Sequence, residues 1–310
     1  MKISAYIPCY NVADYIEPTI QALLKQTHPP DELLIIDDGS TDRTVEIVSR
    51  YPVRVIRHES NRGLAAGRNT AFANARYELV AAIDADVIAE PRWIESLVEA
   101  FTDQGVAGSG GRLLEEYRDT PADSWRATHL SQDMGEERIE IVWPSPKRLG
   151  GFGSIFRKEA VERMGGYDPR FRTNYEDVDL SLRLLRAGYK LVFDSRAVAH
   201  HMRRDSVSSI VRTAWRWEFY DHYYRGGYNN IALKVLLNFR WARVLAWQHL
   251  KKGRAELLLV DSRLPWVHSY WDLRYGFSRE RLPQVAADEQ ARELYFPWPL
   301  RSWRRRFHSS

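Results

Sequence analysis

Cysteine is nearly absent: Cys9 stands alone in 310 residues. An intramolecular disulfide and a cysteine-cluster metal site are thereby excluded, and the scarcity agrees with a reducing compartment. Long apolar runs are missing too. No stretch reaches the ~18 uninterrupted apolar residues of a spanning helix. The opening MKISAYIPCYN holds one Lys and a strand-like run too short for a signal peptide. A cytoplasmic location is the expectation from these two absences. No G-x-G-x-x-G stands at a strand end, which argues against a dinucleotide cofactor. Internal repeats and low-complexity tracts are also lacking.

What is present is a globular composition, 44% hydrophobic and 28% charged, carried unevenly. Residues 1–204 hold 27 Lys/Arg against 31 Asp/Glu, a net −4, whereas residues 205–310 hold 18 against 10, a net +8. Eight of the 11 Trp also follow residue 204. Two compositions in one chain predict two domains, 1–204 and 205–310, with different tasks.

The first half alternates short apolar runs with helical spacing. Strands are expected at Ile3–Ile7, Leu33–Ile36, Val53–Arg57 and Leu79–Ile83, with helices at about 13–26, 43–50 and from Asn61-Arg62-Gly63 through Phe72. That rhythm predicts right-handed crossovers and a mostly parallel sheet, an α/β fold. Each strand delivers polar residues at the same sheet edge: Asn11 after the first, Asp37 and Asp38 after the second, Asp84 and Asp86 after the fourth. Ligands bind at that edge in open α/β sheets. Hard carboxylate oxygens there suit Mn²⁺ or Mg²⁺ bridging to a diphosphate, and two solvated acids in a turn are the plainer alternative. Arg68 can compensate diphosphate charge.

Further along, Gly150-Gly151-Phe152-Gly153-Ser154 can bring backbone N–H groups close to a ligand, or can serve as a packing turn. Tyr175-Glu176-Asp177-Val178-Asp179-Leu180 opens an amphipathic helix. Its three acids exceed what a helix dipole asks for, and crowding can raise one of them toward use as a general base. Residues 115–148 read as irregular. Leu191–Phe193 is one more strand, and Ala197-Val198-Ala199-His200-His201 follows it.

The runs I-P-C-Y-N, I-D-D-G-S-T-D, N-R-G-L-A-A-G-R-N and I-D-A-D-V, in this order, resemble the nucleotide half of family 2 glycosyltransferases with the GT-A fold. The resemblance covers residues 1–204. It implies a Rossmann-like sheet flanked by helices, here with a helical C-terminal extension. It also implies an inverting, metal-dependent transfer of sugar from a nucleotide-diphosphate donor, a UDP-sugar first, to an acceptor hydroxyl on a glycan or lipid carrier. Carried over residue by residue, Pro8 and Asn11 line the nucleotide pocket, and Asp37 or Asp38, with Asp38 preferred, binds the base. Asp84 reaches the ribose and the second acid of the D-x-D, Asp86, the metal. Gly153 and Glu176 contact the donor. Asp177, the second acid of the E-D-x-D-L run, deprotonates the acceptor, Asp179 orients or caps, and His200, preferred over His201, is the second metal ligand.

Beyond residue 204 the resemblance is faint. Trp215-Arg216-Trp217 is similar to the RW of the Q-x-x-R-W motif of processive synthases, but Thr213 occupies the Gln position and spanning helices are lacking, so that subclass is set aside. Ser206 and Asn230 start two helices. The second is expected to set Ile231, Val235, Phe239, Ala242 and Ala246 on one face, with Arg240, Arg243 and Lys251 around it. Trp and Arg beside apolar stripes suit either packing on the catalytic domain or a peripheral contact with the anionic inner face of the plasma membrane. The tail, with Arg304-Arg305-Arg306, is anion-seeking by composition. The alternatives are a nucleotidyl or sugar-nucleotide transferase, and a nucleic-acid binder working through the basic C-terminus; nucleic acid is not the expected partner.

Overall fold

The first strand shows how the main sheet is built. Alternation in β1 (Ile3–Cys9) sends Ile3, Ala5, Ile7 and Cys9 into one core cluster and Tyr6 into another, on the opposite face. In this computed structural model, which describes residues 1–145, 147–224 and 230–275, β2 (Glu32–Asp37), β3 (Arg54–Arg57) and β4 (Leu79–Ile83) join β1 in a parallel block ordered β3-β2-β1-β4. Helices α1 (Ile16–Leu24), α2 (Thr44–Val48) and α3 (Leu64–Asn74) make the crossovers. The expected rhythm of strands and helices is present throughout this block. β1 runs on through Pro8 to Cys9, and β2 gains Glu32 and Asp37 at its ends.

The sheet then continues with mixed polarity. It takes in β5 (Val87–Ala89), β6 (Val106–Glu115), β7 (Ile139–Ile141), β8 (Gly153–Arg157) and β9 (Lys190–His201), in the order β4-β8-β6-β9-β5 with β7 paired to β9. Helices α4 (Trp93–Val98), α6 (Lys158–Arg163) and α7 (Glu176–Arg186) belong to this part, and α5 (Pro121–His129) interrupts it. β8 is antiparallel to both β4 and β6, and β6 is parallel to β9. At twelve residues β9 is far longer than the expected Leu191–Phe193, and it holds both histidines inside the strand.

The chain divides into two compact units: residues 1–116 with 132–203, and residues 117–131 with the chain from Arg204 onward. The change of unit at 203–204 falls beside the expected boundary. The segment 117–131, read as irregular, instead contributes α5 to the second unit. A local signal explains the helix: Thr120 Oγ1 accepts the Asp123 N–H at 3.1 Å, and Pro121 takes the first turn, where a missing N–H costs nothing.

The second unit adds α8 (Val207–Tyr224), α9 (Ile231–Lys251), α10 (Leu258–Asp261) and α11 (Leu264–Tyr275). Ser206 and Asn230 cap α8 and α9 as expected, accepting from Ser209 N and Leu233 N, each at 3.0 Å. The interior is unusually polar. Trp125 Nε1 donates to Asp261 at 3.0 Å, His249 Nδ1 meets the same carboxylate at 2.6 Å, and His249 Nε2 meets His129 Nε2 at 2.8 Å. Burial, with the His249 ring beside it, lowers the His129 pKa to about 3. Lys234 pairs with Glu218 at 2.6 Å, and Trp215 Nε1 and Asn238 Nδ2 both donate to Asp272 at 2.7 Å. In α9 the buried positions are Lys234, Asn238, Ala242, Leu245 and His249, so of the expected apolar face only Ala242 is buried. Gly226-Gly227 and the arginine-rich tail lie outside the described residues. Among the described residues no helix is long and apolar enough to cross a membrane.

Candidate active site

The C-terminal ends of β1, β2 and β4 meet one another as the strand-end reading requires, but the side chains divide the work differently. Asn11, at φ 53°, uses its Oδ1 to accept the Thr41 N–H at 2.8 Å, and its own N–H donates to Ser40 Oγ at 3.0 Å. It therefore staples the first strand's exit to the second's. Pro8 lies in β1 opposite Ile36, half-buried. Both oxygens of Asp38 are taken by the chain itself: Oδ1 accepts Arg62 N at 2.9 Å and faces His58 Nδ1 at 2.6 Å, and Oδ2 accepts Gly63 N at 2.8 Å. The preference for Asp38 as the base ligand is thus not supported by geometry. Asp37 Oδ1 accepts Ser40 N at 3.0 Å; its Oδ2 has the Arg57 Nε charge 3.0 Å away and accepts no aligned hydrogen bond.

Arg68 is neither on the surface nor open to a ligand. Its side chain is 1% exposed at the centre of the unit. Nη2 donates to Asp84 Oδ1 at 3.1 Å, Nε to Glu176 Oε1 at 3.1 Å and Nη1 to Tyr6 Oη at 3.3 Å, while the guanidinium lies 5.8 Å from the Tyr167 ring centre. The expected diphosphate contact is replaced by an internal fork, which its planar multi-donor geometry suits. Through it the strand-end acid Asp84 and the helix-start acid Glu176, 92 residues apart in sequence, are tied together.

Around that fork the carboxyls crowd. Burial, the neighbouring Asp177 and Asp84 hold the Glu176 carboxyl well above the ordinary carboxylate range, against the pull of Arg68. Glu176 Oε2 has no hydrogen-bond partner. Burial and crowding thus act together on Glu176. Asp84 is raised too, by burial and by Asp86 and Asp177, while Arg68 and His201 oppose the rise. Asp177 is the second residue of α7, whose N-cap, Tyr175, lies in the left-handed region at φ 76°. Its Oδ2 accepts Gly151 N at 2.8 Å and its Oδ1 accepts Val178 N at 2.7 Å, which fix the carboxylate's orientation. Asp179 faces the other way and grips Arg183 at 2.6 Å, whose guanidinium also donates to the carbonyls of Met164 and Gly166.

The glycine run also acts on the protein rather than on open space. A Cβ at Gly151 would stand 2.6 Å from Arg68 Nη2 and 3.3 Å from Asp177 Cβ, so only glycine lets the turn close over the fork. Gly153 lies within β8 opposite Ile83, and a Cβ there would meet Trp93 at 3.4 Å. The expected donor contact of Gly153 is therefore at odds with its place in the ladder.

The two histidines part company because neighbours in a strand point to opposite faces. His201 Nε2 is 3.4 Å from Asp86 Oδ2, and its Nδ1 is 2.9 Å from Glu115 Oε2. Burial alone would lower its pKa, but Glu115 and Asp86 raise it to about 9. His200 faces away, with Glu116 and Glu90 each 3.1 Å from its ring nitrogens. The preference for His200 as the partner of Asp86 is reversed by this alternation. Among the described residues no three His, Cys, Asp or Glu side chains converge as a complete ligand set. Asp86 and His201 form an oxygen–nitrogen pair, with Glu115 orienting the ring. Such a pair suits a divalent ion that takes its other ligands from a diphosphate and water. Sequence reasoning missed Tyr6, Glu115 and Tyr167, none of which carries a local signal, and named Gly151 only as a member of the glycine run.

The family described as Glycosyl transferase family 2 matches residues 4–165. Poly-beta-1,6-N-acetyl-D-glucosamine synthase of Staphylococcus epidermidis is 23% identical over 288 residues, which are 89% of this chain and 69% of that one. Among solved structures, S. aureus TarS residues 1–349 in complex with UDP-GlcNAc aligns with a TM-score of 0.53 at 23% identity, covering 68% of this chain and 65% of that one. Mannosyltransferase PcManGT from Pyrobaculum calidifontis, in complex with GDP-Man and Mn2+, aligns with a TM-score of 0.53 at 18% identity, covering 94% and 75%.

Proposed function

The chain belongs to glycosyl transferase family 2, and on that premise we propose that it is an inverting enzyme that moves a sugar from a nucleotide-diphosphate donor to an acceptor hydroxyl. The observation that carries this reading is the Arg68 fork. It binds the strand-end acid Asp84 and the helix-start residue Glu176 to one buried guanidinium, which supports a site shared by donor-side and acceptor-side motifs. Asp177, oriented by the Gly151 and Val178 N–H groups, takes the proton of the acceptor hydroxyl. The acceptor oxygen then forms its bond to the anomeric carbon as the bond to the diphosphate breaks, and the electron pair leaves with the nucleotide diphosphate. Asp84 reaches the donor ribose from its anchorage on Arg68. Asp86 and His201 would hold Mn²⁺ or Mg²⁺, which when bound neutralises the diphosphate's charge. Glu176 and Arg68 position these groups without touching the substrate.

A UDP-sugar is the first donor to test, and a growing glycan or a lipid-linked sugar the acceptor, in cell-surface glycan assembly. A lipid-linked acceptor would be met at the inner face of the plasma membrane. A thermal-shift series of UDP, GDP and dTDP with their sugars, with and without Mn²⁺, tests the reading. Stabilisation by one nucleotide-sugar that grows with Mn²⁺ is the expected result, since ligand bound to the native state raises its stability. No shift with any donor would refute it.

A further inference from the structure

Helix α9 is built inside out. Its buried side includes Lys234, Asn238 and His249, while Leu233, Leu236, Arg240, Arg243, Trp247 and Leu250 recur every three or four residues along its exposed side. That spacing sets them in one stripe along the helix. Leu236 is 68% exposed and Trp247 56%. Helix α11 repeats the arrangement: His268, Ser269 and Asp272 are buried, and Trp266 (68% exposed), Tyr270 and Leu273 face outward. The two helices pack on each other through their polar sides, where Asn238 donates to Asp272 and Lys234 lies 3.6 Å from it. At the rim the Phe239 and Trp266 rings meet edge to face at 4.9 Å, which joins the two stripes into one apolar surface. Water is a poor solvent for such a face, and contiguous exposed apolar side chains mark an interaction site.

The charge around the surface selects the occupant. α9 contains no acid, and the one acid of α11, Asp272, is buried. Arg240, Arg243, Lys251, Arg263 and Arg274 are exposed, and Lys251 Nζ sits 3.8 Å above the Trp247 ring. Leucines for the acyl boundary, Trp and Tyr for the headgroup level and cations for anionic lipid form the pattern of a helix lying in a membrane interface. At 21 residues α9 is about 31 Å long. Arg240 and Arg243 at its middle fit a helix lying along the surface, not across the bilayer. We propose that the exposed faces of α9 and α11 form one docking surface for an anionic lipid bilayer. The inference goes beyond glycosyl transfer and shares with it only the idea of a membrane-borne acceptor.

Vesicle flotation of the intact chain tests it, with phosphatidylcholine alone and with phosphatidylglycerol added, and without donor. The expected result is salt-sensitive binding to the anionic vesicles. Trp247→Glu/Trp266→Glu should weaken it at least tenfold, and so should Arg240→Glu/Arg243→Glu, with the circular dichroism spectrum and the nucleotide-sugar thermal shift unchanged. Hydrogen exchange on the unmutated chain reads the same surface without any substitution: vesicles should slow exchange across 231–275. Absence of binding to either vesicle overturns the proposal, as does binding that leaves exchange over 231–275 unchanged. A monomer–dimer equilibrium abolished by Trp247→Glu, with no vesicle binding, assigns the face to a second copy and overturns it too. Donor binding is measured in vesicle-free buffer, so failure of either reading leaves the other standing.

Discussion

Replacing Arg68 by Met keeps the stem of the side chain and removes the fork. Three polar groups then lose their donor: Asp84 Oδ1 and Glu176 Oε1, each 3.1 Å away, and Tyr6 Oη at 3.3 Å. Breaking a buried ion pair from one side costs about 3–5 kcal/mol, because the partner charge stays buried. Here Glu176 already favours its protonated form, and taking up a proton relieves part of that penalty. The lower end, about 3 kcal/mol, is therefore expected. For a unit of this size each kcal/mol moves the melting temperature by about 2–4 °C, which gives a fall of roughly 6–12 °C in calorimetry. Function should change as well: Asp84, without its anchor, should bind the donor roughly tenfold more weakly, equivalent to ~1.4 kcal/mol. Arg68→Lys restores a charge but not the three-way geometry, so it should recover part of the melting temperature and little of the donor affinity. A Met variant that melts within ~2 °C of the parent and binds donor equally would refute the fork as the organising element.

Asp177→Asn cannot accept a proton at neutral pH, so acceptor turnover should fall by about 10²–10⁴ with donor affinity kept, whereas Asp179→Asn should lose mainly stability through Arg183. His201→Ala should abolish the Mn²⁺ increment in donor binding while His200→Ala preserves it; calorimetric titration with both variants decides between them. Gly151→Ala forces a methyl against Arg68 Nη2 and should destabilise by about 1–3 kcal/mol in urea unfolding. The second unit should be acid-sensitive. His129 has a folded pKa of about 3, below its unfolded value of 6.5, so below pH 6.5 the unfolded chain binds the extra proton. Stability is then lost as pH falls from 6.5 toward 3, by about 1.4 kcal/mol per unit, and His129→Phe should flatten that slope in pH-dependent melting curves.

Much of the parallel block was legible because its signals are local. Leu79–Ile83 is a five-residue apolar run stopped by acids, and it forms β4 over those same residues. Strand ends such as Asp37 and Asp84 follow directly once the strands are placed. What could not be read is set by partners far away in sequence. His200 and His201 differ only in strand phase, which depends on pairing with β5 and β6. Asp38 looked available because Arg62 and Gly63, which occupy it, come 24 and 25 residues later. Arg68 carries a charge, and charge usually signals a surface; only the meeting of Tyr6, Asp84 and Glu176 makes its burial tolerable. In α9 the apolar spacing left packing and a membrane contact both open, because the buried side is set by polar partners such as Glu218 and Asp272 on other helices.

The insertion of α5 into the second unit has a consequence for synthesis. Trp125 leaves the ribosome 136 residues ahead of Asp261, the carboxylate that accepts its indole N–H, and His129 precedes His249 by 120. At about 5–20 residues per second the helix waits roughly 7–27 s for its core to arrive. Throughout that interval its tryptophan and histidine have no interior to enter, so the nascent chain is a client for chaperones at one defined stage. A stop codon near residue 204 would make the wait permanent: the first unit would carry a stranded helix in its middle, and the expected product is aggregated rather than a smaller working enzyme.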